Sequence, residues 1–443
     1  MGTKTKIESP ILSLSKKIKT RSATIGVVGL GYVGLPLALE IVNKGFGVIG
    51  FDKDDGKISN LKSGDSYIAG MSNAIIEKAV NEQKFEPTSD FSKLVHVDII
   101  IICVPTPTTA DGTPNISYIV DAANAIEQNI SSNTLIILES TTYPGTTEEV
   151  VQPILEKGNF VIGQDIFLAY SPERVDPGNL NFSVSNTPKV VGGISATCLE
   201  VSKLFYETVI NTNVFAVTDP KIAEMEKLLE NTFRQINIAL VNELSQVCHK
   251  MNIDVWEVIE AASTKPYGFM PFTPGPGVGG HCIPVDPKYL LWAGQQHGVS
   301  ATLIETADKI NDSMPSFVVE RLENYLNAHE KEINEAEIVV IGVSYKPNIN
   351  DFRESPALHV IDKLKAKQCR LKVIDPFIET FTVGNDMFNT VSLTKELIQK
   401  ADAVVILTNH TTIDYSLIDQ HAALIFDTRN THYLFKNEKY HKL

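Results

Sequence analysis

The sequence predicts an α/β protein in which two doubly wound parallel sheets are joined by a long central helix. Short apolar runs alternate with helical patterns over residues 23–212, and the same alternation restarts at residue 338. That rhythm is typical of parallel sheets covered by crossover helices. Between the two regions, Asp219 and Pro220 begin a helical pattern of about thirty residues with no further glycine or proline.

Composition narrows the class of protein. The chain has 443 residues, of which 43% are hydrophobic and 21% charged, values typical of globular proteins with more than one domain. A net charge of −14 argues against a general nucleic-acid surface. No apolar run approaches the ~20 residues that span a bilayer, and no signal peptide is evident. We therefore expect a cytoplasmic protein with neither nucleic-acid nor membrane partners.

The five cysteines are scattered and show no CxxC spacing. This pattern favours a reducing compartment and predicts neither a disulfide framework nor a metal site.

Four segments are predicted along the chain. Residues 1–22 form a polar, mildly basic extension that we expect to be poorly ordered. Residues 23–212 form a Rossmann-like nucleotide-binding domain, and residues 213–312 a central helical region. Residues 313–443 form a second Rossmann-like domain.

The first glycine motif predicts a dinucleotide site. Gly29, Gly31 and Gly34 have GxGxxG spacing between a strand and a helix, and the next strand ends at Asp52. Gly29 would make the turn, Gly31 would admit a pyrophosphate, and Gly34 would let the helix pack on the strand. Asp52 would accept a hydrogen bond from a ribose 2′-hydroxyl, which favours NAD over NADP, although Lys53 weakens that preference.

Polar residues follow later strands of the predicted sheet, where doubly wound folds bind ligands. Thr106 and Thr142 either contact a ligand or serve as turn residues. Glu173 either positions water or forms a surface ion pair. The predicted cofactor-binding residues are Gly29, Gly31, Tyr32, Val33, Gly34, Asp52, Lys53, Val104, Thr106 and Thr142.

On the central helix, Lys227 and Asn231 lie four residues apart and therefore share a face. The alternative is a solvated or inter-helix polar pair. The many side-chain amides of this helix suggest that it passes a ligand.

Residues 273–287, TPGPGVGGHCIPVDP, form a loop stiffened by four prolines and bent by four glycines. Cys282 lies near its end and Asp286 four residues later. This cysteine is either a small buried hydrophobe or a tuned thiolate nucleophile. Lys265 and Phe272 supply charge and aromatic surface just before the loop.

The second α/β domain lacks GxGxxG, so we expect it to bind a nucleotide less conventionally. Tyr345, Lys346, Asp351, Arg353 and Glu354 follow its first strand. Arg353 is either a fork for a phosphate or carboxylate, or part of a surface ion-pair cluster with its acidic neighbours.

Taken in order, these motifs resemble the UDP-glucose/GDP-mannose dehydrogenase family across residues 23–435. The matching motifs are Ser171-Pro172-Glu173, Lys227-Leu-x-x-Asn231, Gly279-Gly280-x-Cys282-x-Pro284-x-Asp286 and Phe352-Arg353-Glu354-Ser355. The resemblance implies a four-electron oxidation of a nucleotide-sugar C6 hydroxymethyl group to a carboxylate with two NAD⁺.

The resemblance also implies catalytic roles. Cys282 would attack the aldehyde intermediate, and Lys227 with Asn231 would stabilise the oxyanion. Asp286 would assist the water or general-base step, while Glu173 and Thr142 would hold or relay through water. The implied substrate-binding residues are Glu173, Arg174, Lys227, Asn231, Lys265, Phe272, Gly275, Gly279, Tyr345, Lys346 and Arg353.

Within that family, the cysteine loop is most similar to the branch that oxidises UDP-N-acetylhexosamines, particularly UDP-N-acetylglucosamine, in surface-polysaccharide synthesis. Ile283 and Val285 replace the leucine and lysine frequent in UDP-glucose dehydrogenases. The UDP-N-acetylmannosamine branch shares the loop but usually has His-Pro-Arg where this chain has Lys265-Pro266-Tyr267.

The implied partners are the UDP-N-acetylhexosamine substrate and a second copy of the chain, paired through the long helix. The alternatives are a UDP-N-acetylmannosamine or UDP-glucose dehydrogenase, a two-electron NAD dehydrogenase, and a non-catalytic nucleotide-sugar sensor.

Overall fold

A computed structural model of the chain describes residues 10–68, 71–109, 111–175, 179, 181–431 and 438–443. The predicted α/β class with two doubly wound sheets and a long central helix is confirmed. The chain forms two compact units. The first contains Met1–Glu230 and Lys288–His297, and the second contains Asn231–Pro287 and Gly298–Leu443.

An eight-stranded sheet forms the centre of the first unit, with strand order β3-β2-β1-β4-β5-β6-β7-β8. All pairings are parallel except that of β6 with β7. The carboxyl ends of β1, β4, β5 and β6 therefore meet at one edge of the sheet. The strands are β1 (Thr24–Val28), β2 (Gly47–Phe51), β3 (Phe85–Thr88), β4 (Ile99–Ile102), β5 (Leu135–Leu138), β6 (Phe167–Tyr170), β7 (Lys189–Gly193) and β8 (Val214–Val217).

Strands β3 and β8 were not predicted from the sequence, because neither is a buried apolar run. β3 reads FEPT, and the ends of β8 are half-buried while its centre is exposed. The helices of this part of the chain are α1 (Pro10–Thr20), α2 (Gly34–Asn43), α3 (Asp55–Lys62), α4 (Asn73–Asn81), α5 (Ser117–Glu127), α6 (Gln152–Leu155) and α7 (Ala196–Val209).

Helix α8 (Pro220–Lys250) has 31 residues and begins where the Asp-Pro pair predicts, with the Asp219 carboxylate accepting the Lys221 N–H at 2.7 Å. It is followed by α9 (Val255–Ser263), α10 (Asp286–Gln296) and α11 (Thr302–Ala328). Helices α10 and α11 are separated by a break, at which Gly298 has φ +71°. Helix α11 also runs without interruption through residues 312 and 313, the predicted start of the third domain.

The second unit has a five-stranded parallel sheet of order β10-β9-β13-β14-β15 and a separate antiparallel hairpin, β11–β12. Its strands are β9 (Glu337–Ile341), β10 (Arg370–Ile374), β11 (Thr380–Val383), β12 (Asp386–Asn389), β13 (Ala403–Ile406), β14 (Ile425–Asp427) and β15 (Tyr440–Lys442). Its remaining helices are α12 (Pro356–Ala366), α13 (Lys395–Lys400) and α14 (Tyr415–His421).

None of the helices in the described part of the chain combines the length and the apolar character that crossing a membrane requires.

The expectation of a poorly ordered N-terminal extension was wrong for residues 10–20. These residues form α1, whose Leu14 and Ile18 are fully buried and pack on α7 in the core of the first unit. The Lys17 ammonium reaches the Asp98 carboxylate at 2.7 Å. The helix was not recognised in the sequence because lysines lie between these two apolar residues, which are one helical turn apart. The rest of the extension, residues 1–9, lies outside the described residues.

The docking of α1 is tested by Leu14→Ala, which should lower the free energy of unfolding by about 2–5 kcal/mol because it leaves a cavity in a packed core. Leu12→Ala on the same helix is the matched control, since Leu12 is 59% exposed. It should change stability by no more than about 0.5 kcal/mol. Equal denaturant midpoints for the two variants would show that α1 is not docked.

Candidate active site

In the first unit, two of the three glycines of the GxGxxG motif are sterically required and the third faces open space. Gly29 has φ +95°, and a Cβ placed there would lie 2.6 Å from the Cys103 carbonyl oxygen. A Cβ on Gly34 would lie 1.9 Å from the Gly29 carbonyl oxygen, so only glycine lets α2 approach β1 this closely. A Cβ on Gly31 would meet no atom within 4 Å. The turn therefore leaves open space at the position predicted to face a pyrophosphate.

The Asp52 carboxylate lies beside that turn. Its Oδ2 accepts the Leu30 N–H at 2.9 Å and lies 3.2 Å from the Lys57 ammonium. An open glycine turn next to a held carboxylate fits the pyrophosphate and ribose of a dinucleotide. Lys53 points elsewhere, into an exposed ion pair with Asp121 at 2.9 Å.

Tyr32 and Val33 complete the motif. Tyr32 is 38% exposed, and Val33 is the residue before the first turn of α2.

The loops after β4 and β5 lie at the same edge of the sheet as the glycine turn. The Val104 carbonyl accepts the Ser140 hydroxyl at 2.8 Å, and the Thr106 carbonyl accepts the Tyr289 hydroxyl at 2.6 Å. The Thr142 hydroxyl is buried, 2.7 Å from that of Thr146.

Helix α8 anchors the loop that follows Thr142. The buried Glu224 carboxylate accepts the N–H groups of Gly145 and Thr147 at 2.6 and 2.9 Å and the Thr147 hydroxyl at 2.6 Å. Burial raises the pKa of Glu224 to about 7, although these donors oppose the change. Glu224 was not among the predicted site residues, because its partners lie about 80 residues away along the chain.

Glu173 is buried rather than part of a surface ion pair, with 9% of its surface exposed. Its Oε1 accepts the N–H groups of Arg174 and Val175 at 2.9 and 2.6 Å, and its Oε2 lies 3.2 Å from the Lys189 ammonium. Burial alone would raise the pKa of this carboxyl, but Lys189 and the Val175 N–H lower it below its ordinary value.

Lys227 of α8 contacts the same turn. Its ammonium donates to the main-chain carbonyl of Glu173, and the residue is 8% exposed. Arg174 is directed away, with its guanidinium on Glu230 and Glu226 of α8 and on the Pro188 carbonyl. The ion pairs of Arg174 favour a structural role over the predicted substrate contact.

In the second unit, Cys282 and Asp286 are one helical turn apart, because the Asp286 N–H donates to the Cys282 carbonyl at 2.8 Å at the start of α10. Cys282 is exposed, whereas the other cysteines of the described residues are buried or half-buried. The Asn231 side-chain amide donates to the Asp286 carboxylate, and both residues are buried. Asn231 therefore holds Asp286, whereas the family resemblance assigned it to an oxyanion.

The glycine-rich loop before Cys282 packs against other parts of the second unit. The Gly275 N–H donates to Asn242 Oδ1 of α8 at 2.9 Å, and a Cβ on Gly275 would lie 2.5 Å from Arg429 Nη1. A Cβ on Gly279 would lie 2.7 Å from Pro356 Cδ. These glycines allow close backbone approach, a requirement that the sequence had attributed to ligand binding. Neither Asn242 nor Arg429 was predicted as a partner of the loop.

The predicted substrate contacts after β9 are engaged within the protein. Arg353 Nε and Nη2 lie 2.9 and 2.7 Å from the two oxygens of Asp351. The Tyr345 N–H donates to the Asp351 carbonyl at 3.2 Å, and the Lys346 carbonyl accepts the Ser344 hydroxyl at 2.8 Å. Of the two alternatives for Arg353, the structure shows the ion pair.

Lys265 and Phe272 contact neighbouring rings. The Lys265 ammonium lies 5.1 Å from the ring centre of Tyr267, and the ring of Phe272 lies 5.8 Å from that of Phe233.

Two charged residues of the first unit, Lys189 and Glu139, were not among the predicted site residues. They lie under Glu173, with Lys189 Nζ 3.0 Å from Glu139 Oε1. Their only signal in the sequence is a charge at the end of an otherwise apolar strand, which is a weak one.

Comparison with known proteins gives three consecutive family matches. They are to the NAD-binding domain of the UDP-glucose/GDP-mannose dehydrogenase family at residues 23–210, its central domain at 221–313 and its UDP-binding domain at 339–433.

Individual relatives carry two different substrate names. The chain is 36% identical to a UDP-N-acetyl-D-glucosamine 6-dehydrogenase of Pseudomonas aeruginosa, over 80% of this chain and 83% of that protein. It is 35% identical to a UDP-N-acetyl-D-mannosamine dehydrogenase of Methanocaldococcus jannaschii, over 87% and 85%. The solved UDP-D-ManNAc dehydrogenase of Pyrococcus horikoshii superposes with a TM-score of 0.85 at 31% identity, over 95% and 98%.

Proposed function

Since the chain belongs to the UDP-glucose/GDP-mannose dehydrogenase family, we propose that it oxidises the C6 hydroxymethyl group of UDP-N-acetylglucosamine to a carboxylate, in surface-polysaccharide synthesis. The coarser activity is that of an NAD-dependent dehydrogenase of UDP-N-acetylhexosamines. The observation that carries the four-electron reaction is the exposed Cys282 thiol one turn before a buried Asp286. A two-electron dehydrogenase needs no such pair.

The reaction balances as one alcohol, one water and two NAD⁺ giving one carboxylate, two NADH and three protons. NAD⁺, when bound, accepts the hydride in each oxidation. After the first oxidation, the Cys282 thiolate adds to the aldehyde carbon and forms a thiohemiacetal. Loss of a second hydride and a proton leaves a thioester. Water cleaves it, releasing the carboxylate and the thiol. Covalent capture keeps the aldehyde from escaping between the two oxidations.

The polar residues around these steps have separate proposed roles. Asp286 takes a proton from the attacking water, and Asn231 orients its carboxylate, as the hydrogen bond between them supports. Lys227 stabilises oxygen-centred negative charge with its ammonium. Glu173 and Thr142 hold water. The glycine turn and Asp52 hold NAD.

The second unit supplies the proposed contacts for the UDP half of the substrate. Tyr345 and Lys346 lie on the loop after β9. Arg353 would exchange its ion pair with Asp351 for one with an anionic group of the substrate. A guanidinium group suits this role because it can donate two parallel hydrogen bonds to a phosphate or carboxylate. Gly275 and Gly279 support this role indirectly, by letting the cysteine loop pack closely.

The substrate assignment is tested by NADH yield with UDP-GlcNAc, UDP-ManNAc, UDP-glucose, UDP-GalNAc and GDP-mannose. We expect the highest kcat/KM with UDP-GlcNAc and two NADH per sugar consumed. A preference for UDP-ManNAc, the second candidate named by relatives, would move the assignment to that epimer. One NADH per sugar would indicate a two-electron dehydrogenase, and none with any sugar would indicate a sensor.

Cys282→Ser should reduce acid formation by more than about 10³-fold, because the alkoxide needed for covalent capture is not accessible near neutral pH. The product is measured by mass spectrometry of the nucleotide sugar. Cys369→Ser is the matched control, since Cys369 is a half-buried cysteine of the second unit whose thiol faces the Leu364 carbonyl. Normal two-step turnover by Cys282→Ser would refute covalent catalysis.

We also propose that the protein is a homodimer paired through α8. Large apolar side chains form an exposed stripe along this helix, which we call the α8 stripe. Monomers rarely leave such a continuous surface in water. Its members, with their exposed fractions, are Ile222 (47%), Met225 (41%), Leu229 (61%), Phe233 (44%), Leu240 (58%) and Val247 (49%).

Sedimentation should give about twice the chain mass of 48.7 kDa for the wild type. Leu240→Glu should shift the protein toward the monomer, because it buries a charge in the proposed interface. Met387→Glu is the matched control at a 73% exposed position on the β11–β12 hairpin and should leave the mass unchanged. A monomeric wild type, or a dimeric Leu240→Glu, would contradict the proposal.

A further inference from the structure

A buried cation lies beneath the 171–173 turn of the first unit. Lys189, at the start of β7, is 3% exposed. Its ammonium lies 3.0 Å from Glu139 Oε1, 3.2 Å from Glu173 Oε2 and 3.3 Å from the Pro172 carbonyl. A lysine ammonium has three N–H donors, so these three acceptors satisfy it completely.

The second carboxylate of this group is held from the other side. Glu139 follows β5 and is 1% exposed, and its Oε1 also accepts the Tyr206 hydroxyl of α7. Burial raises the pKa of Glu139, and Lys189 opposes that change. Two carboxylates therefore share one ammonium, and all three side chains are largely buried.

Such a cluster is costly to bury. Taking these ions out of water is unfavourable and is offset only where their pairing is complete. What distinguishes this cluster is its connection to the proposed chemistry. The Glu173 side chain contacts Lys189, and the Glu173 carbonyl contacts the Lys227 ammonium. One residue thus links the buried cation to the proposed catalytic one.

We propose that Lys189 is a positioning residue for the oxidation. It holds the Glu173 carboxylate and the 171–173 turn in the arrangement in which the Glu173 carbonyl orients Lys227, while Glu139 and Tyr206 hold Lys189. This inference rests on the proposed function, in which Glu173 and Lys227 act on the substrate.

The decisive comparison is between Glu139→Gln and the double variant Lys189→Met/Glu139→Gln. Both substitutions nearly preserve side-chain volume. The double variant removes one positive and one negative charge, so it keeps the net charge of the wild type and avoids leaving two unpaired carboxylates. Lys203→Met, at a surface lysine of α7, is the control for loss of a lysine. Lys189→Arg tests rescue by a second cation.

We expect the double variant to lose about 100-fold in kcat relative to Glu139→Gln, with little change in KM, since displacement of catalytic groups affects turnover more than binding. Lys203→Met should match the wild type, and Lys189→Arg should be more active than the double variant.

The pH profile of kcat provides a readout that a purely structural role would not change. Among the described residues, the charged groups that act on Glu173 include Lys189 of β7, Glu139 after β5, Lys227 of α8 and the adjacent Arg174. The Tyr206 hydroxyl of α7 lies behind Glu139. If Glu173 acts ionised, activity falls as pH drops through its pKa. Removing Lys189 raises that pKa, so the acidic limb should move to higher pH. Glu139→Gln removes a neighbouring negative charge, so its limb should move to lower pH.

A third readout does not need turnover. The Val175 N–H donates to Glu173 Oε1 at 2.6 Å, so its hydrogen exchange reports whether the turn is held. Exchange should be faster in the double variant than in Glu139→Gln. Equal kcat, equal acidic limbs and equal exchange in these two variants would overturn the proposal. A wild type that oxidises none of the sugars would refute the proposed function alone, and the exchange comparison would still decide the role of Lys189.

Discussion

The polar side chains of helix α8 are the constraint on which the candidate residues within each unit depend. Within 31 residues the helix presents Glu224 to the loop after β5, Lys227 to the carbonyl of Glu173, Asn231 to Asp286 and Asn242 to the glycine-rich loop. Each of these side chains bonds to a loop that carries, or precedes, a candidate residue. A loop held this way keeps a functional group oriented without the entropy cost of ordering it at each turnover.

Burial determines the electrostatics of the first unit more than net charge does. The chain carries a net charge of −14, which would repel an anionic nucleotide sugar. The cations that matter are nevertheless local and shielded from water. Lys227 and Lys189 are both nearly buried, and both contact the Ser171–Pro172–Glu173 turn. The low dielectric around them strengthens their interaction with nearby negative charge.

The two sheets use the same device at the start of their first crossover. In the first unit, Asp52 at the end of β2 accepts the N–H of Leu30, just after the glycine turn. In the second, Asp375 at the end of β10 accepts the N–H groups of Val343 and Ser344, just after Gly342. Hydrogen bonds from His410 and Val343 outweigh burial and lower the pKa of Asp375. Asp375 is therefore the structural counterpart of Asp52 in the second unit.

The sequence by itself determined those features that depend only on residues close together along the chain. The GxGxxG turn, the buried strands and the start of α8 follow from backbone freedom, apolar runs and capping, all of which act over a few residues.

Only the tertiary structure decided which groups pair over long distances along the chain. Lys189 reaches Glu139 across 50 residues and Asn231 reaches Asp286 across 55, while α1 is helical because it docks on α7. For Arg353 the choice was local: it has two acidic neighbours in the sequence, Asp351 and Glu354, and the structure shows its ion pair with Asp351. Composition and sequence spacing do not determine which of these groups pair. Burial determines it, because it removes water as a competing partner and leaves each charge with the acceptors that the fold brings to it.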